Sequence, residues 1–161
     1  MKRLLLDTHM VLWWLQGSDC FKDSIVVLLK DARNEVFVSA SSVWEIAIKQ
    51  SLGKLEAPDD LLDLMERSGF EELSISSFHA EQAGRLPLAH KDPFDRMLIA
   101  QAQAEGLILV THDEAILSSD YSALIAVKSL SYKDWIPAFA GMTLNPALYV
   151  IPAQAGIQPI K

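Results

Sequence analysis

Cysteine is almost missing from this chain. Cys20 is the single one in 161 residues, so no disulfide can form within the chain, and no Cys-x-x-Cys or His-x-x-x-His spacing offers a zinc site. Basic residues are scarce as well: 14 Lys and Arg face 21 Asp and Glu, for a formal net charge of -7. That balance excludes a protein that coats nucleic acid by charge alone, and any nucleic-acid substrate needs a local basic patch. The N-terminus lacks the charged, apolar and cleavable pattern of a secretory leader, so the cytoplasm is the expected location. An uncharged stretch from Ile136 to Ile160 is interrupted by Pro137, Pro146, Pro152 and Pro159, too often for a membrane-spanning helix.

What is present is enough for one ordinary core. Half of the residues are hydrophobic and 22% are charged, which rules out wholesale disorder. Strand and helix signals alternate. Arg3 to Leu6 reads as a strand, Met10 to Leu15 as a helix, Ile25 to Leu29 as a helix, Val36 to Val38 as a strand and Ser41 to Leu52 as a helix stopped by Gly53. Pro58 to Arg67 is an expected helix with proline at its first position, and Leu73 to Ile75 a weak strand. Phe78 to Leu86 is a helix ended near Pro87, a stronger helix begins at Asp92-Pro93 and runs through Ala104 to Gly106, Leu107 to Val110 is a buried-type strand, Asp113 to Leu117 a helical turn, and Ile125 to Val127 a last strand. This alternation implies an α/β fold in which right-handed crossovers pair parallel strands and place helices on both sheet faces.

Composition changes after Trp135. Ile136-Pro137-Ala138-Phe139-Ala140-Gly141 recurs as Ile151-Pro152-Ala153-Gln154-Ala155-Gly156, and two copies cannot build a solenoid. The repeated peptides look like translations of a dispersed bacterial genomic repeat. The expected division is therefore a domain over residues 1–134 and an irregular extension over 135–161, outside the core and produced by read-through of the gene.

Four acids fall where ligand sites of open α/β sheets collect, at the carboxyl ends of strands or on the helix just beyond. Asp7 ends the first strand, Glu45 lies in the helix after the second, Asp95 follows Asp92-Pro93, and Asp113 follows the Leu107 strand. Each has a plain structural reading. Asp7 and Asp92 suit helix N-caps, Glu45 suits an i, i+4 pair with Lys49, Asp95 stands where a capping-box acid sits, and Thr111 with Glu114 suits another capping box. Together, however, ionised carboxylates repel by roughly 4 kcal/mol per pair at 4 Å and an effective dielectric near 20. A hard cation such as Mg²⁺ or Mn²⁺ relieves that repulsion and joins readily to phosphate oxygens, which points to a phosphodiester substrate. His9 and His112 each adjoin a candidate acid and are expected to pack or hydrogen-bond beside the site. Trp13, Trp14 and Trp44 lie in apolar helical runs, which suits a core or subunit interface better than base-stacking platforms. Lys49, Lys54, Arg85, Lys91 and Arg96 lie on or near the acid-bearing elements and could supply a local positive field.

The segments Leu4-Leu5-Leu6-Asp7-Thr8, Val43-Trp44-Glu45-Ile46, Asp92-Pro93-Phe94-Asp95-Arg96-Met97-Leu98-Ile99-Ala100 and Leu109-Val110-Thr111-His112-Asp113 resemble, in order and spacing, the four acidic motifs of PIN-domain ribonucleases. The likeness covers about residues 2–134 and is nearest to the VapC-type toxins of bacterial toxin–antitoxin pairs. The third motif, from His90 to Arg96, is the most specific. The resemblance implies a three-layer α/β/α sandwich with a central parallel sheet, and a Mg²⁺-dependent or Mn²⁺-dependent endoribonuclease held inactive by a co-expressed antitoxin. It assigns Asp7, Glu45, Asp95 and Asp113 as catalytic, metal-holding acids, matches Thr111 to a hydroxyl position of the family, and gives Thr8 or Ser39 supporting roles through water. Asp92 is extra to that quartet. A homodimer is expected from the same likeness and from the apolar pair Trp13-Trp14. The cut is expected to leave 5′-phosphate and 3′-hydroxyl ends.

Rival readings share parts of this pattern. A phosphorelay receiver domain needs an early acidic pair, whereas Asp7 follows Leu6 alone, although Lys128 is roughly placed for the receiver lysine. An aspartyl-nucleophile phosphatase needs Asp-x-Asp, which Asp7-Thr8-His9 lacks. A catalytically inactive PIN-fold module that only binds a partner is disfavoured by the presence of all four acids.

Overall fold

The computed structural model describes residues 1–17, 23–86, 91–113 and 116. Within them run β1 (Arg3–Leu6), α1 (Thr8–Leu15), α2 (Asp23–Lys30), β2 (Glu35–Ser39), α3 (Ala40–Ser51), α4 (Leu61–Arg67), β3 (Glu71–Leu73), α5 (Ser77–Arg85), α6 (Pro93–Glu105) and β4 (Ile108–Val110). The strands form a parallel sheet in the order β3-β2-β1-β4. Crossovers of a parallel sheet carry helices onto both of its faces, which explains why the central strands are continuous apolar runs rather than alternating ones.

Side-chain alternation along β1 splits the core in two. Leu4 and Leu6 pack with Val36, Val38, Met10, Leu28, Ile46, Leu61 and Met65 on one face. Leu5 turns to the other and meets Phe37, Ala83, Leu98, Ile99, Ala102 and Leu109. Helices α1 to α4 thus contribute to one layer and α5 and α6 to the other, giving the expected three-layer sandwich. Helix α6 ends at Gly106, whose φ of 64° is left-handed, and the Leu107 N–H closes back on the Ala102 carbonyl at 2.9 Å. That turn delivers the chain directly into β4.

Several boundaries differ from expectation for physical reasons. Helix α1 begins at Thr8, before Met10, because Asp7 caps it. Helix α4 begins at Leu61 rather than Pro58, since Asp60 at φ -97° and ψ 34° lies off the helical path. Strand β3 is Glu71–Leu73 rather than Leu73–Ile75, because pairing of Phe37 with Glu71 and Ser39 with Leu73 fixes its register. It is an edge strand, where backbone pairing outweighs residue type. The Ile125–Val127 strand, Cys20, Lys128 and the boundary between residues 134 and 135 lie outside the described residues.

Candidate active site at the carboxyl edge of the sheet

The register aligns Leu6 with Val38 on one side and Val110 on the other. Three strands therefore end together, and whatever follows each of them meets at one edge. The Asp7 N–H continues the pairing by donating to the Val110 carbonyl at 3.0 Å, so Asp7 is set by the sheet itself. It is only 3% exposed. Its Oδ1 accepts from the His9 N–H at 3.4 Å, the cap that starts α1, while Oδ2 accepts from Thr111 Oγ1 at 2.5 Å. Thr111 Oγ1 in turn accepts the Asp113 N–H at 3.0 Å. One hydroxyl thus ties two of the acids, and the Asp113 carboxylate is further held by the Ile116 N–H at 3.2 Å.

The other two acids stand on helices. Ser39, at the end of β2, caps α3 by accepting the Ser41 N–H at 2.9 Å, and the helix carries Glu45 back over the edge. Glu45 is 7% exposed and its Oε1 meets Lys49 Nζ at 2.5 Å, the i, i+4 pairing expected from spacing. Asp92 caps α6 by accepting the Phe94 N–H at 2.8 Å, with Pro93 at the first helical position, so Asp95 falls in the first turn. Its carboxyl is pushed up to about 7, by burial first and then by the charges of Asp7, Asp92, Asp113 and Glu45. The structure therefore brings the other three motif acids within electrostatic reach of Asp95. Asp92, read from the sequence as a cap, is a cap and also adds to that charge.

The supporting residues divide. Thr111 contacts the site directly. Thr8 and Ser39 are fully buried and act within the fold: Thr8 Oγ1 donates to Ser42 Oγ at 3.0 Å, joining α1 to α3, and Ser39 Oγ donates to Gln101 Oε1 at 2.6 Å. Gln101 Nε2 continues to the Ser74 carbonyl at 3.2 Å. Gln101 was not singled out from the sequence, although a polar residue within the apolar run of α6 is the signal that marks it.

His9 and His112 pack edge to face at 5.2 Å, and Trp13 lies 4.4 Å from the His112 ring. Burial lowers the His112 imidazole most, while the charges of Asp7 and Asp113 pull it the other way. Trp13 is core, and Trp14 leans on Phe70 at 5.6 Å, so this pair is mostly internal and does not supply the apolar surface on which the dimer expectation rested. Trp44 departs from the core reading altogether: it is 60% exposed. The basic residues are also largely engaged. Arg96 donates to the carbonyls of Ala83, Gly84 and Leu86, binding the end of α5 to the start of α6, and Arg85 pairs with Glu81 at 2.7 Å. Lys54 and Lys91 are exposed. Glu114 and His90 lie outside the described residues.

An all-oxygen donor set under mutual repulsion has the chemistry of a hard divalent-cation site. Its cage is not closed: among the described residues, no three His, Cys, Asp or Glu side chains stand closely enough together to hold an ion. Glu45 Oε1 faces Lys49 Nζ, so ligation through that oxygen requires this helix-borne side chain to reorient, whereas Asp7 keeps lone pairs to spare beside its bond from Thr111.

Comparison with known proteins agrees with this fold. A 56-residue stretch is 41% identical to ribonuclease VapC16 of Mycobacterium tuberculosis, covering 32% of this chain and 40% of that relative's length. The fold is similar to two solved assemblies. One is VapBC2 from Rickettsia felis bound to a DNA fragment from its promoter, with a TM-score of 0.52, 17% identity, and 76% of this chain and 92% of that chain covered. The other is DNA-bound VapBC from Salmonella typhimurium, with a TM-score of 0.51, 23% identity, and 70% and 87% covered. The family described as PIN domain matches residues 4–119, well over half of the sequence and inclusive of all four acids, and the chain belongs to that family.

Proposed function

We propose that this protein is a divalent-metal-dependent endoribonuclease and the toxin of a toxin–antitoxin pair. The observation that carries the reading is the common sheet edge: β1 and β4 end in register with Asp7 and Asp113 tied through Thr111, and Asp95 on α6 lies close enough to these acids and to Glu45 for their charges to raise its carboxyl. Similarity to a ribonuclease over 56 residues supports RNA as the substrate, and fold similarity to toxin–antitoxin assemblies supports an antitoxin partner.

In this reading Asp7, Glu45, Asp95 and Asp113 hold Mg²⁺ or Mn²⁺. The bound ion supplies a lowered pKa for the attacking water and stabilises charge on the attacking and leaving oxygens. The chain's own contribution is positional. Thr111 keeps the Asp7 carboxylate aimed by donating to it. Lys49 pairs with Glu45 in the metal-free protein and balances its charge there. The buried Ser39–Gln101 bond keeps α6 seated against β2, and with it the first turn that bears Asp95. The nuclease domain comprises residues 1–134, with 135–161 as an extension outside the core. The protein works in the cytoplasm, and its homodimer rests on the family likeness without the Trp13-Trp14 surface. Among the described residues no helix is long and apolar enough to cross a membrane.

One observation favours a second reading, that of an inactive PIN-fold module that binds a partner: the carboxylates are not closed into a ligand cage. Purified protein incubated with total RNA in Mg²⁺ and in EDTA separates the two. Discrete new 5′-phosphate ends in Mg²⁺ alone support the nuclease, and unchanged RNA in both supports the inactive module.

A further inference from the structure

Trp44 stands 60% exposed on α3 and meets the ring of Phe94, on α6, edge to face with centroids 5.3 Å apart and planes at 72°. Each aromatic immediately precedes an acid of the site, Trp44 before Glu45 and Phe94 before Asp95. Successive helical residues point about 100° apart. Both helices therefore present the same offset, and the ring-to-ring contact bridges α3 and α6 alongside the carboxylates. Leu62 and Phe78 are also exposed, but on helices that bear no motif acid.

Leaving an indole in water forgoes a large burial gain. In a T-shaped pair Phe94 covers at most one face of the indole, and at 60% exposure much of Trp44 remains in water. The charge inventory indicates what meets that surface. A polyanionic substrate approaching a cluster of acids on a chain of net charge -7 gains little from the nearby cations. Lys49, Arg85 and Arg96 already face protein oxygens. Of the five cations near the acid-bearing elements that leaves Lys54 and Lys91, both exposed, so affinity draws also on contacts insensitive to charge, and base–aromatic stacking is such a contact. A phosphodiester held at the carboxylates brings its flanking base to the adjoining aromatic bridge.

We propose that Trp44, braced by Phe94, is the stacking platform for a base next to the scissile phosphate of single-stranded RNA. This rests on the nuclease reading above, and its test separates the two. Binding of short oligoadenylate and of a matched abasic oligomer is measured by fluorescence anisotropy in EDTA, so that nothing is cut. Wild-type protein should prefer oligoadenylate by about five- to 150-fold, the loss expected for one stacked base. W44A should abolish most of that preference while melting like wild type, and W44F should keep most of it. Equal preference in wild type and W44A overturns the platform. So does a W44A variant that keeps its RNA affinity but no longer binds the antitoxin, which would make the pair a protein contact. Wild type that binds through Trp44 yet makes no Mg²⁺-dependent cut leaves the platform standing and removes the nuclease reading. Cleavage with an unaltered W44A preference does the reverse.

Discussion

The two halves of the acidic site are held differently. Asp7 and Asp113, at the ends of β1 and β4, are joined through one hydroxyl, with Thr111 donating to the first and accepting from the backbone of the second. Glu45 and Asp95, on α3 and α6, have looser arrangements: the first leans on a lysine that is 39% exposed, and the second carries the electrostatic cost of the other acids. Strand ends are fixed by ladder hydrogen bonds, so their acids are preorganised. Helix-borne acids depend on how each helix seats, and they retain the freedom that a site needs if it is to close around an ion.

This contrast can be broken most severely by removing one acid from either half. Asp7→Asn and Asp95→Asn each change charge with little change in volume, and Mg²⁺-dependent RNA cleavage should fall at least about a hundredfold in both, read by gel quantification of cut RNA. Loss in one variant but not the other would confine the site to one half. Thr111→Val sharpens the comparison on the strand side alone. It leaves Asp7 buried without its hydroxyl donor, so cleavage should fall about tenfold and denaturant unfolding should report about 1–2 kcal/mol of lost stability.

On the helix side the effect on stability should have the opposite sign. The folded Asp95 carboxyl lies near 7 against 3.8 in its ordinary state. Between those values the folded chain retains a proton that the unfolded chain has released, so metal-free stability falls as pH rises through that window. Asp95→Asn should remove this slope and raise stability at pH 8 by about 1–2 kcal/mol, since solvent screens a partly exposed carboxylate. A variant that loses cleavage while gaining stability separates a role in the site from a role in the fold. The smallest change should come from Asp92→Asn, which keeps a good N-cap and removes one contributor to the charge on Asp95; cleavage should stay within about threefold of wild type. If Asp92→Asn were as damaging as Asp95→Asn, the assignment within that motif would be wrong.

The sequence was most legible where local rules and the tertiary structure agree. The run Leu4–Leu6 closed by Asp7, the cap at Asp92-Pro93 and the stop at Gly106 each announce a boundary through their own chemistry, and the alternation of elements brings the acids to one edge. The partners that hold each acid were less legible. The Thr111–Asp7 bond spans 104 residues and the Ser39–Gln101 bond spans 62, so neither leaves a local pattern. Trp44 sits in an apolar run that resembles core, and only the seating of α3 against α6 exposes it. Arg96 reads as a source of local positive field until the end of α5 is placed beneath it. The register of β3 likewise comes from its neighbour rather than from its own residues.

The claim beneath all of these comparisons is that the four acids share one field that a divalent cation relieves. The direct measurement is the titration of the Asp95 carboxyl by carbon-13 NMR, without metal and with saturating Mg²⁺. The account predicts a midpoint near 7 in the metal-free protein and a fall into the ordinary carboxylate range when Mg²⁺ is added. A metal-free midpoint already near 4, the ordinary value for aspartate, or a raised midpoint that Mg²⁺ leaves unmoved, would contradict it.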